Sequence, residues 1–392
     1  MKPLKLNITF LILIIILSRS LAFGIFDQWD IVNDSGLAVK PLGQPAYLDY
    51  TTYLAHINSA WHEIYRPFSF IQLAWLDPAK ALIWLQSQNA KPGPIFSILL
   101  GITGFDTLGW VYIFIGCLLG FCWAKFFEWR NLGLGEQVFV ACFPALIYYS
   151  FLVSTDLLYA LLVAIFYATT WSVLLHKKWA LIWSVLIMTI LLLIRPNALS
   201  LIPILLVVIY KDVNLNFFFK FIIFLITGLI GAYMLIYYLP YFWVHEVNSV
   251  KTPYWGIYSK EFYEGIFTWL PDWINKTFSF LFLAVSKILY SVGLRPSYSG
   301  VSLWLVLARA SPAILLLPGL IFALIRAHWF ERLFLFFFMI PVYVGATQER
   351  YLLAITPLLL FWGIQFYKSI LYEYNHRKPA EEPLKNPFKS ES

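Results

Sequence analysis

The sequence predicts an all-α polytopic membrane protein with about ten transmembrane helices, and three observations carry that expectation. Of 392 residues, 60% are hydrophobic and only 12% are charged, where a soluble chain would carry roughly a quarter charged residues. Mean hydropathy is +0.73, and apolar runs of about 20 residues, the length a helix needs to cross a bilayer, recur along the chain. Basic residues divide unevenly between alternate short loops, as membrane insertion requires.

Lys2 and Lys5 precede an apolar run that reaches Phe26. Arg19 and the bulky residues after it make a poor signal-peptide cleavage site, so this run reads as the first span, with its N-terminus in the cytoplasm. The other spans fall near 108–127, 136–151, 155–175, 179–195, 197–210, 217–239, 310–326, 331–346 and 351–371, which returns the C-terminus to the cytoplasm. The short inner loops then hold Lys125, Arg130, Lys177, Lys178, Lys211, Lys220, Arg326 and Arg332. The short outer loops hold only Arg195 and Arg350.

Residues 1–371 form one membrane module, and 372–392 form a basic, proline-containing cytoplasmic tail that reads as disordered. Two long segments stay outside, a large first outer loop at 27–107 and a second segment at 240–309. Both mix Trp and Tyr with scattered charges, as amphipathic helices lying at the interface do. Counting 276–294 as a span would reverse the topology after it, so it reads as a helix on the outer face.

The three cysteines, Cys117, Cys122 and Cys142, all fall in predicted spans and read as small apolar core residues. Neither a metal-ligand pattern nor a nucleotide-binding glycine loop is present in the sequence. His56 and His62 are six residues apart, which is not the spacing of a helical metal-ligand pair. A nucleic-acid partner is not expected, and chemistry in this chain falls to the spans and their loops.

The stretch "PVYVGATQERYLLAITPLLLF" (341–361) sets Gln348, Glu349 and Arg350 side by side between two apolar runs. A charged pair at a membrane boundary costs free energy unless it is solvated, paired or holding a ligand. Asp49, Lys91, Asp156, Arg195, Arg295 and Arg309 fall at the same outer level. Singly, each has a structural reading: Asp49 or Asp156 as a helix cap, the cations as groups snorkelling to lipid headgroups. Asp27, Asp30 and Asp34 share the first loop with Asp49.

Four stretches in order resemble the polytopic glycosyltransferases of the GT-C superfamily, such as the protein O-mannosyltransferases and the aminoarabinose transferases. They are "YLDYTTYLAHI" (47–57), "KPGPIFSILLGITGF" (91–105), "YYSFLVSTDLLYALLVAIFYATT" followed by "LLLIRPNALSLIPILLVV", and "ERYLLAITPLLLF". The first resembles the loop that carries the family's catalytic aspartate, and the second its Lys/His-Pro-Pro-Leu segment, with Gly93 in place of the second proline. An acidic pair is common in the family's first loop, whereas here Asp49 is followed by Tyr50, which leaves a divalent metal open.

The resemblance implies a polyprenyl-phosphate-linked sugar as donor, a site on the extracytoplasmic side, and a bacterial inner membrane as location. A carboxylate within hydrogen-bond reach of the acceptor takes its proton, and Asp49 is the candidate. One base attacking opposite the leaving group inverts the anomeric centre, whereas retention needs a close carboxylate pair. Negative charge grows on the departing lipid phosphate, and Lys91, Arg195, Arg295, Arg309 and Arg350 are candidates to hold it. Tyr53, Asp156, Gln348, Glu349 and Tyr351 are candidates to support these groups or meet the sugar. Two other classes compete. A secondary transporter or lipid flippase would place its charges near the membrane midplane in repeated halves, and a polysaccharide polymerase or O-antigen ligase carries its large loop late. The sugar, the acceptor and the oligomeric state are not readable from the residues.

Overall fold

The computed structural model describes residues 8–28, 31–32, 38–39, 66–87, 93–103, 105–151, 155–177, 179–211, 216–241, 259–294, 307, 310–344 and 352–377. Among them the architecture is helical, apart from a two-residue antiparallel pair in which Ile31 faces Val39.

The helices, in order, are α1 (Ile8–Gln28), α2 (Arg66–Leu76), α3 (Pro78–Ser87), α4 (Pro94–Thr103), α5 (Phe105–Trp129), α6 (Leu134–Ala141), α7 (Pro144–Ser150) and α8 (Thr155–Leu174). They continue with α9 (Ala180–Ile194), a 3-10 turn (Pro196–Leu201), α10 (Ile202–Lys211), α11 (Phe217–Tyr241), α12 (Lys260–Ile266), α13 (Asp272–Ser291), α14 (Ala313–Arg326), α15 (Trp329–Val344) and α16 (Thr356–Arg377). Among the described residues, three segments are long and apolar enough to cross a membrane: Gly109–Trp129, Thr155–Leu174 and Phe217–Leu239.

Proline decides where several apolar runs stop. The run expected to be one span at 136–151 is two helices, α6 and α7, because Pro144 has no N–H for the turn before it and starts a new helix instead. Helix α9 ends at Arg195, whose φ −147° and ψ 142° are extended, because a residue before proline is driven out of the helical region. The expected span at 197–210 accordingly begins as the 3-10 turn and turns into α10 only from Ile202.

Other ends are closed by left-handed caps. Helix α5 ends with Asn131 at φ 58°, where Leu132 N–H reaches the Phe127 carbonyl at 3.0 Å and Asn131 N–H reaches that of Glu128 at 2.9 Å. This paired arrangement satisfies carbonyls that a bare helix end leaves open. His176 at φ 54° closes α8 in the same way, with Lys177 N–H on the Ser172 carbonyl at 3.0 Å. These caps place Arg130 and Lys177 at one end of the bundle.

The core joins α5, α8, α9, α10, α15 and α16, with Trp123, Phe127, Phe166, Phe330 and Leu359 fully buried. Helices α14 and α16 approach until a Cβ at Gly319 would overlap the Leu359 carbonyl and one at Gly363 the Leu315 carbonyl. Close backbone approach across small residues is how helices gain packing where solvent supplies no hydrophobic drive. The outer faces are apolar: Phe218, Phe221, Leu225 and Leu229 on α11 are all exposed. Helix α13 is inverted relative to a water-soluble helix, exposing Phe280, Leu281 and Val285 while burying Ser279, Ser286 and Lys287.

Candidate functional site

Asp156 and Arg195 come together. Asp156 lies in the first turn of α8 and Arg195 caps the C-terminus of α9, and the two side chains form an ion pair that is nearly closed to solvent. Each charge sits at the helix end that favours it: an anion at the positive N-terminus, a cation at the negative C-terminus. The guanidinium also lies over the Tyr159 ring at 5.8 Å, one turn along α8 from Asp156. Asp156 therefore sits inside the helix, one position beyond Thr155, and holds Arg195 in place.

A second predicted stretch meets this pair. Gly93, just before α4, packs so closely on α9 that a Cβ would overlap the carbonyls of Leu193 and Ile194. Helix α4 continues along α9. The glycine at 93, where the resemblance expects a second proline, is thus required sterically. Gly93, the described start of this stretch, and the Ile-Arg-Pro stretch are therefore neighbours in space, with the ion pair beside them.

The remaining predicted site residues lie outside the described residues: Asp49, Tyr53, Lys91, Arg295, Arg309, Gln348, Glu349, Arg350 and Tyr351. So do His56 and His62. Among the described residues no cluster of His, Cys, Asp and Glu is suited to a metal ion, and the three cysteines are free.

The structure adds two charged centres that sequence reasoning missed. At the opposite end of the bundle, Glu331 is fully buried and ion-paired to Arg130. The Tyr167 hydroxyl donates to Glu331 Oε1 at 2.7 Å and the Trp362 indole N–H donates to Oε2 at 3.1 Å. Arg130 also packs over the rings of Trp129 at 4.9 Å and Phe361 at 4.8 Å, a geometry that suits a weakly hydrated planar cation. In the sequence Arg130 reads only as a loop charge, because its partner Glu331 is about 200 residues away and nothing local signals it.

The second centre is Arg19, which is 2% exposed. It donates to the Ala141 carbonyl at 2.8 Å and to the Gly116 carbonyl at 3.3 Å. Ala141 ends α6, where the break at Pro144 leaves a carbonyl without its usual donor, and Arg19 supplies one. Gly120 leaves the room: a Cβ there would come within 3.0 Å of Arg19 Nη2. The visible signal was a lone arginine inside an apolar run, which by default marks a buried role.

No family model, curated protein or solved structure matches this chain.

Proposed function

We propose that the chain is a polytopic membrane glycosyltransferase of GT-C type. It moves a sugar from a polyprenyl-phosphate donor to a lipid, glycan or protein acceptor, with inversion, at the outer face of a bacterial plasma membrane. The remaining apolar helices complete about ten spans. Asp49 is the general base, and Lys91, Arg195 and Arg350, with Arg295 and Arg309, hold the donor phosphate.

One observation supports this reading above the others: the meeting of Gly93 with Ile194 beside the Asp156–Arg195 pair. Stretches about 100 residues apart, each a weak signal alone, share one end of one bundle. A guanidinium fixed there by a carboxylate is pre-oriented for an anion, which lowers the cost of reorganisation as charge develops on a leaving phosphate.

The test is transfer by purified protein in lipid, offered a panel of radiolabelled polyprenyl-phosphate sugars and acceptor extracts. Turnover that collapses in Asp49→Asn while donor is still bound supports the mechanism. Wild-type turnover in that variant moves the base to another acid of the first loop.

The transporter reading has one observation in its favour, the broken helix α6–α7 with the buried cation Arg19 at its break. Discontinuous helices are a recurring feature of transporter sites. Substrate flux across proteoliposomes with no transfer from any donor would select it.

A further inference from the structure

We propose that the end of the bundle opposite the Asp156–Arg195 pair holds a built-in anionic phospholipid, its chain in a groove between α5, α8 and α16 and its phosphate between Lys125 and Lys177. This site is separate from the transfer reaction and does not depend on it.

The groove has a volume of about 420 Å³, within the range of sites that take a small organic ligand. Its wall is apolar along its length, with Ala168 and Ile165 from α8, Phe334 from α15 and Leu358 from α16. From Ala164 to Ser172 the α8 side of the groove runs about 12 Å at about 1.5 Å per residue, enough for much of an extended acyl chain. Trp129 and Trp171 lie at one end, edge to face at 5.6 Å, and indole rings favour the level of lipid headgroups.

Charge selects the headgroup. Lys125 and Lys177 line the same end of the groove. Lys125 shares Glu128 at 2.6 Å, and Lys177 is exposed just past the cap of α8. Behind them the aromatic wall continues from Trp171 to His328 at 5.3 Å and on to Trp329, over which Lys211 sits at 3.8 Å. Arg332 lies one turn further, donating to the Ala327 carbonyl at 2.7 Å. Among the described residues at this end, the cations Lys125, Arg130, Lys177, Lys211 and Arg332 outnumber the carboxylates Glu128 and Glu331; Glu331 is consumed by Arg130, and Glu136 is taken by Lys368. A zwitterionic headgroup leaves this excess unbalanced; a net-negative one meets it, because juxtamembrane cations attract acidic lipid.

The wall is fixed before any lipid arrives. Tyr167 lines the groove and is tethered through its hydroxyl to Glu331, so the lipid does not bear the cost of ordering that ring.

The experiment is native mass spectrometry of the full chain released from nanodiscs of equal parts phosphatidylglycerol and phosphatidylcholine. Wild-type protein is expected to retain phosphatidylglycerol about tenfold over phosphatidylcholine. Ala168→Trp, which fills the groove from an exposed position, is expected to lose the retained lipid with its thermal unfolding unchanged. The pair Lys125→Gln with Lys177→Gln is expected to keep a bound lipid but lose the preference for the anionic head. Equal retention of both lipids by wild type, or unchanged retention in Ala168→Trp, overturns the proposal. Displacement of the lipid by millimolar inorganic phosphate alone would reassign the site to a phosphate ion and also overturns it. Failure here leaves sugar transfer unaffected, and failure of transfer leaves lipid retention to be read by itself.

Discussion

Gly93 lies against the carbonyl of Ile194 so closely that any side chain at 93 would overlap it. That contact ties the start of α4 to the residue preceding Arg195, and hence to Asp156. The proposed donor site stands or falls on this junction.

Gly93→Ala forces the two segments apart. Overpacking of this kind costs about 1–3 kcal/mol, read as a lower midpoint of thermal unfolding in detergent. If Arg195 contributes to phosphate binding, sugar transfer falls by about tenfold or more, the equivalent of about 1.4 kcal/mol in the barrier. Wild-type transfer in a folded Gly93→Ala protein would detach this junction from the reaction.

Asp156→Ala removes the carboxylate that pairs with the nearly buried Arg195, and removal of one partner of such a pair costs about 3–5 kcal/mol. Combining it with Arg195→Ala removes both members of the pair, so the double variant should lose less than the sum of the singles, by about 0.5–3 kcal/mol of coupling. Strict additivity in a thermodynamic cycle would mean that the pair contributes nothing.

Removing Arg130 and removing Glu331 should not be equivalent. Without Arg130, the fully buried Glu331 keeps, among the described residues, the Tyr167 and Trp362 donors. Without its carboxylate, Arg130 is still partly open to solvent and keeps the faces of Trp129, Phe126, Trp171 and Phe361. Arg130→Ala is therefore expected to destabilise more than Glu331→Gln, and comparing the two unfolding midpoints decides it.

Arg19→Ala strands the Ala141 carbonyl, at about 1–3 kcal/mol for an unpaired buried acceptor, and leaves a cavity besides. Gly120→Ala crowds the same guanidinium from the other side. Both variants should unfold at lower temperature than wild type, and Arg19→Ala should also raise protease sensitivity near the α6–α7 break. A wild-type melt for Arg19→Ala would mean that the helix break is satisfied without it.

His328 titrates below the ordinary histidine range, because desolvation and then the nearby positive charges of Lys211, Arg130 and Arg332 oppose its proton. The unfolded chain therefore binds more protons than the folded one just below pH 6.5, and stability rises with pH through that window. The contribution is complete above about pH 6.5 and declines as pH falls toward the depressed folded value. His328→Gln should flatten the melting temperature between pH 5 and 7, and an unchanged slope would assign the dependence to another group.

The sequence by itself determined that this chain is helical and apolar, because hydropathy and run length are properties of local composition. It also marked several helix ends. Pro196 ends α9 at Arg195 through a clash with the preceding residue, and that rule acts between neighbours. Pro144 acts by the same local chemistry, although hydropathy alone joined α6 to α7 and hid the break. The pairing of Asp156 with Arg195 was half legible: both stood out as isolated charges at the same depth, but depth does not fix rotation about a helix axis. The Arg130–Glu331 pair and the Arg19–Ala141 contact were decided only by tertiary structure. Each joins groups more than 100 residues apart, and the energy that makes them, a buried charge meeting its partner or an orphaned carbonyl meeting a donor, exists only once helices have packed and water has left.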